Sequence, residues 1–188
     1  MTRIVGGVAG GRRIAVPRGR ATRPTSERVR EALFSVLEAA HLSATGQPGL
    51  AGLAFLDLYA GSGAVGLEAA SRGATRVALV ENDAVALRTL RDNMAGLRPE
   101  GTEVHASDVA RFLAGPASAY HVVFIDPPYA DPVAPVLTAL VGGGWLAAGA
   151  TVVVERATRD GAPPWPDGLL ADRSRRYGDS TLWYGRRP

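Results

Sequence analysis

Asp126-Pro127-Pro128-Tyr129 directly follows the apolar, strand-like run Tyr120 to Ile125, and these four residue types suit the handling of a planar amino group. Asp126 and the carbonyl of Pro127 could accept the two N–H hydrogens of an exocyclic NH2 on a nucleobase, while Tyr129 covers the face of the ring. Proline has no N–H and a pre-set φ, so Pro127 and Pro128 can aim carbonyls at a ligand at little entropic cost. The same tetrapeptide also reads as a strand ending in a surface turn, because Asp-Pro and Pro-Pro are common loop punctuation.

The element needed to bring a partner to that group lies upstream, in residues 53–83. An apolar strand, Leu53 to Leu58, runs into Gly61, Ser62 and Gly63. A helix is expected from about Val65 to Ser71, and a second strand, Arg76 to Val80, ends in Glu81 and Asn82. This is a βαβ pattern with its glycines at the first turn, where a nucleotide-like ligand can approach the backbone. Gly61, Gly63 and Gly66 also satisfy G-x-G-x-x-G, which raises the alternative of a dinucleotide-binding dehydrogenase.

Asp57 speaks against that alternative. A carboxylate at the end of the first strand would face a pyrophosphate and repel it. S-adenosylmethionine carries no phosphate and offers a cationic sulfonium and ammonium, which an acid nearby favours. Glu81 suits a bidentate grip on ribose hydroxyls, a role that dehydrogenases share. Asp108, after a third strand-like stretch from Glu103 to Ala106, is placed to meet an adenine amino group, with the Val109 backbone beside the ring. An N-cap for a helix over Val109 to Leu113 explains Asp108 equally well.

A chain of 188 residues can bury one substantial core and at most a small appendage. It has no apolar stretch of membrane-spanning length and no signal-peptide core at its start, so cytoplasm is the expected location. With no cysteine, thiol nucleophiles, disulfides and thiolate–zinc sites are excluded. His41, His105 and His121 are scattered without ligand spacing, and no metal is expected. Trp145, Trp165 and Trp183 read as packing residues.

Charge is unevenly placed. Residues 1–30 hold eight arginines and one acid, Glu27, for +7, whereas the remainder is −4. A basic front on a slightly acidic body is a footprint for a phosphate backbone. Arg3-Ile-Val-Gly-Gly7 and Arg12-Arg-Ile-Ala-Val16 alternate apolar and polar residues, which predicts a short basic β-hairpin; a disordered basic arm is the other reading. Next, Thr25 or Ser26 can cap a helix whose apolar stripe is Val29, Leu33, Val36 and Leu37. Arg28 and Arg30 could be its solvated face. Arg23, Pro24 and Thr25 sit where a loop could cover a donor pocket.

A helix from Ala84 to Met94 precedes the third strand. The fourth strand, His121 to Ile125, reads as buried on both faces. A helix from Pro132 to Val141, a fifth strand from Ala150 to Val154, and two terminal strands turning at Gly178 and Asp179 complete an α/β pattern.

Arg3 to Ile14, Arg23 to Leu37 (RPTSERVREALFSVL), Phe55 to Ala74 (FLDLYAGSGAVGLEAASRGA), the Asp126 tetrapeptide and Tyr177 to Leu182 (YGDSTL) together resemble the RsmD family, bacterial small-subunit (16S) ribosomal RNA guanine-N2 methyltransferases. Glu27 stands where the family more often has Asp. The resemblance covers almost the whole chain and implies a Rossmann-like class I fold, with a seven-stranded, mostly parallel sheet whose last strand is antiparallel. It also implies S-adenosylmethionine as donor, a monomer, and a guanine presented in an assembled or partly assembled 30S subunit. On this reading residues 1–45 form a basic hairpin-and-helix extension and 46–188 the methyltransferase domain. Asp126, Pro127, Pro128 and Tyr129 serve the acceptor. Asp57, Gly61, Ser62, Gly63, Glu81, Asn82, Asp108, Val109 and Thr25 serve the donor, and Arg3, Arg12, Arg13, Arg18, Arg20, Arg23 and Arg28 serve RNA. The competing readings are a DNA adenine-N6 methyltransferase, a protein-glutamine methyltransferase and a non-catalytic RNA-binding module.

Overall fold

The computed structural model describes residues 1–17, 25–128 and 131–188. Two short strands, β1 (Thr2–Arg3) and β2 (Arg13–Ile14), precede the long helix α1 (Glu27–Thr45). Then come β3 (Ala54–Leu58), α2 (Ala64–Ser71), β4 (Arg76–Glu81), α3 (Ala84–Leu97), β5 (Thr102–Ala106) and α4 (Val109–Leu113). The chain continues with β6 (Tyr120–Ile125), α5 (Val133–Gly142), β7 (Leu146–Ala157), β8 (Leu170–Tyr177) and β9 (Ser180–Arg186).

Seven strands form one sheet in the order β5-β4-β3-β6-β7-β9-β8. The β3–β4, β4–β5, β3–β6 and β6–β7 pairs are parallel, and β9 runs antiparallel to both β7 and β8. This is the mostly parallel sheet with a reversed last strand that the family resemblance implies. The order reverses direction at β3, so the loops after β3 and β6 open side by side into one crevice, where open α/β sheets bind ligands. Every residue of β3 is buried, as expected of a central strand covered by helices on both faces.

β7 begins four residues earlier than its apolar run suggests. Tyr120 pairs with Leu146 and Val122 with Thr151, so β7 carries extra residues around Gly149, whose φ is +70°. The bulge takes the strand out of simple alternation, which hides its first turn from a pattern reading.

The N-terminal segment shares the core of the sheet. Ile4 and Ile14 pack in one cluster with Val29, Leu33 and Phe34 of α1, Phe55 of β3 and Leu182 of β9. Its polar anchor is Glu68 of α2, whose carboxylate accepts the N–H groups of Val5 and Gly6, both at 2.8 Å, and the guanidinium of Arg72 at 2.9 Å. Arg30 is fully buried and not on a solvated face. It donates to the carbonyls of Thr25 (2.7 Å) and Arg3 (2.6 Å), and its Nε lies 3.7 Å from Glu68. Periodicity places residue 30 beside Val29 and Leu33 but gives no hint that a carboxylate waits opposite. Burial lowers the guanidinium's pKa while Glu68 opposes that shift.

Candidate active site

At the carboxyl ends of β3, β4 and β6 lie two adjoining spaces. The larger, about 290 Å³, is lined by Val16, Pro17, Thr25, Asp57, Gly61, Ser62, Val65, Phe124, Asp126, Pro127 and Pro128, among others. The smaller, about 140 Å³, is lined by Val80, Ser107, Asp108, Val109 and Ala110. Tyr59, Glu81, Asn82 and Asp131 wall both spaces. An elongated ligand lying across the pair would therefore pass Glu81 at its middle.

The wall between β3 and α2 is built by the glycine turn. Gly61 has φ +57°, a left-handed value that an L side chain resists. Its N–H donates to Glu81 Oε2 at 2.7 Å, while Oε1 accepts the N–H groups of Asn82 (2.9 Å) and Asp83 (2.8 Å). Three backbone donors thus orient the Glu81 carboxylate and lock the turn to the end of β4. Gly66 serves close packing: a Cβ there would stand 2.1 Å from Leu79. Its N–H donates to Asp57 Oδ2 at 2.9 Å. Asp57 is buried, and that burial, opposed by the Gly66 hydrogen bond and reinforced by the charge of Glu81, pushes its pKa up to about 7.

Asp126, Pro127 and Pro128 line the larger space directly after the buried end of β6. The Pro128 carbonyl accepts the N–H of Asp131 at 2.9 Å, and Asp131 lines the cleft as well. Tyr129 lies outside the described residues.

Thr25 is buried and lines the larger space. Its hydroxyl donates to Glu155 Oε2 of β7 at 2.8 Å, and Ser180 donates to the other oxygen, Oε1, at 2.7 Å. One glutamate therefore joins Thr25, ahead of α1, to Ser180 at the start of β9. Asp108 does cap α4, accepting the Arg111 N–H at 2.8 Å, and it also lines the smaller space, so the two readings of this residue are compatible.

Gly63 does not line either space. It caps α2 from behind, and a Cβ there would meet Leu90 at 2.3 Å. Of the arginines expected to serve RNA, Arg3, Arg12, Arg13 and Arg28 are exposed. Arg3 pairs with Glu27 at 3.0 Å, and Arg12 donates to the Gly96 carbonyl at 2.6 Å. Arg18, Arg20 and Arg23 lie outside the described residues. Among the described residues no group of His, Asp and Glu could hold a metal ion, and no helix is long and apolar enough to cross a membrane.

Sequence reasoning missed Tyr59, which lines both spaces with a left-handed φ of +66°. Strain of this kind persists where the surroundings enforce it, often at ligand sites. Partial burial raises its phenol pKa to about 12, so the hydroxyl stays protonated near neutrality. Its position two residues after Asp57, at a strand end, was the available signal. Phe124 and Asp131 were also missed; each flanks the Asp126 motif.

The family described as Conserved hypothetical protein 95 matches residues 2–186. Ribosomal RNA small subunit methyltransferase D of Escherichia coli (strain K12) is 37% identical over 165 residues, spanning 87% of this chain and 79% of that protein. The putative rRNA methyltransferase YlbH of Bacillus subtilis is 32% identical over 133 residues, 69% of this chain and 67% of its own. A solved structure, the putative methyltransferase yhhF from Escherichia coli, superimposes with a TM-score of 0.84 at 33% identity, covering 99% of this chain and 97% of that one. With the sheet order, the glycine turn and a match over nearly its whole length, this chain belongs to the RsmD family of methyltransferases.

Proposed function

We propose that this protein transfers a methyl group from S-adenosylmethionine to the exocyclic N2 amine of a guanine in 16S ribosomal RNA, with the base presented in an assembled or partly assembled 30S subunit. The observation that carries the reading is the pair of adjoining spaces, with Glu81 at their shared wall and Asp126, Pro127 and Pro128 in the larger. A nucleoside fits the pair if its adenine enters the smaller space beside Asp108 and Val109 and its ribose diol meets Glu81. Asp57, in the larger space, would then hold the methionyl end. Cationic groups there suit a buried carboxylate, whereas a pyrophosphate does not.

When bound, the donor supplies an already activated methyl group. The chain's own task is the acceptor. The guanine N2 lone pair is delocalised into its ring and is a poor nucleophile. Hydrogen bonds from the NH2 to Asp126 and to the Pro127 carbonyl favour a pyramidal nitrogen and aim its lone pair. Rate enhancement then comes from proximity and electrostatic pre-organisation, with no covalent intermediate. The nitrogen turns acidic once methylated, so Asp126 or water can take its proton afterwards. The base must leave its stack to reach the cleft, and Tyr129 replaces the lost stacking.

The test is transfer of labelled methyl groups to small subunits from cells lacking the enzyme, followed by nucleoside analysis. Label in N2-methylguanosine, lost with Asp126→Ala, is the expected result. Label in another nucleoside would overturn the acceptor assignment, and label only in DNA or protein would overturn RNA as substrate.

A further inference from the structure

Among the described residues, strand β8 is the edge of the sheet beyond β9, and its residues from Leu170 to Arg176 are exposed. It carries Arg173, Arg175 and Arg176 against one acid, Asp172. The pairing with β9 decides which way these side chains point. Arg173 stands opposite Tyr184 and Arg175 opposite Leu182, and directly opposed residues on an antiparallel pair share a face. Leu182 and Tyr184 belong to the cluster that includes Ile4, Ile14 and Val29. Arg173 and Arg175 therefore project on the face of the sheet that carries the N-terminal strands and α1. Arg176 stands opposite Thr181, on the other face, and donates to the Gly178 carbonyl at 3.0 Å.

Two positions apart on a strand, Arg173 and Arg175 are separated by about 6.8 Å of rise, on the scale of successive phosphates in a nucleic-acid strand. The line they define runs toward the cleft. Past Arg175 comes Tyr177, which pairs with Ser180. Ser180 shares Glu155 with Thr25, and Thr25 lines the cleft three residues before the exposed Arg28. Two arginines of the N-terminal strands and their turn have partners within the protein, Arg3 with Glu27 and Arg12 with Gly96, although both side chains are exposed. Arg173 also touches Asp172 at 2.8 Å, but both side chains are about half exposed, and such a pair holds weakly and yields to a phosphate.

We infer that Arg173 and Arg175 of the edge strand, continued by Arg28, form a second phosphate-binding track that guides RNA into the cleft. The inference rests on RNA being the acceptor. A purely structural role is available to the same residues, because charged side chains on an edge strand prevent sheet-to-sheet association. The two roles separate experimentally.

The test compares wild type with the double variants R173Q/R175Q and R173K/R175K on unmethylated small subunits. Binding to a short RNA hairpin is measured in parallel across a salt series. The Gln pair is expected to raise KM about tenfold with kcat within twofold. It should also flatten the slope of log K against log salt by about 1.4 to 1.8, two phosphate contacts' worth, and the Lys pair should restore both. S-adenosylmethionine affinity, read by calorimetry, should not move, which also reports that the variant is folded. An unchanged KM and salt slope would overturn the track, and self-association of the Gln pair in sedimentation would then identify edge protection as the role. If wild type transfers methyl to no RNA, the function reading fails and with it any guidance into the cleft; Arg173 and Arg175 then stand only as an RNA-binding surface, and only if the Gln pair still flattens the hairpin slope. If wild type neither methylates nor binds RNA, both fail.

Discussion

Glu81 Oε2 accepts the N–H of Gly61 across the crevice at 2.7 Å, so the carboxylate that faces the ligand spaces also fixes the glycine turn. Glu81→Gln cannot satisfy this arrangement, because one end of its amide becomes a donor. That end meets either the Gly61 N–H or the N–H groups of Asn82 and Asp83. An unsatisfied buried donor costs about 1–3 kcal/mol. Donor affinity is expected to fall by about 10- to 100-fold, with Tm lower by a few degrees. Calorimetric titration of S-adenosylmethionine checks this, and an unchanged Kd would remove Glu81 from the donor site.

Asp57 predicts a pH dependence. Its folded-state pKa, about 7, lies above the ordinary 3.8, so between those values the folded chain holds a proton that the unfolded chain has released. Stability from this group is therefore fully present below about pH 4 and is lost as pH rises through 7. A cationic donor prefers the ionised form, so its affinity should rise from pH 6 to 8 with proton release on binding. Calorimetry in buffers of different ionisation enthalpy measures that release. Asp57→Asn should abolish it; release persisting in the variant would assign the proton elsewhere.

Asp126→Ala should lower kcat by at least about 100-fold, the scale of a lost acid–base or positioning group, while donor Kd stays within about threefold. Parallel single-turnover assays and donor titration make the comparison. Equal loss of both would move Asp126 to the donor side.

Glu68→Ala removes the acceptor shared by Val5, Gly6 and Arg72 and leaves Arg30 buried without its opposite charge. Breaking such a pair costs about 3–5 kcal/mol, and Tm should fall by about 10 °C. Combined with Arg30→Met, the loss should be smaller than the sum of the two single changes. Thermal unfolding of the three variants checks this, and strict additivity would show the two residues to be uncoupled.

Local chemistry made much of this protein legible in advance. The βαβ unit around Gly61, the buried β6 and the Asp126 motif each follow from patterns within about thirty residues. Helix α1 was recognisable from Ser26, which caps it by accepting the Val29 N–H, and from the stripe through Val29 and Leu33. Long-range pairings stayed hidden. Arg30 reads as a surface cation until Glu68 is brought against it, and Glu155 is one acid in a strand until Thr25 and Ser180 converge on it. Tyr59 was hidden for another reason: a tyrosine with positive φ runs against its own backbone preference, so no propensity points to it.

The reach of these contacts orders the making of the enzyme. Val5 waits 63 residues for Glu68, and Thr25 waits 130 residues for Glu155. Contacts of such sequence separation form late, because loop closure must precede them. On the ribosome, where the N-terminus emerges first, the basic segment leaves the exit tunnel long before β7 does. The wall of the cleft that Thr25 supplies is therefore fixed only after most of the chain has been translated.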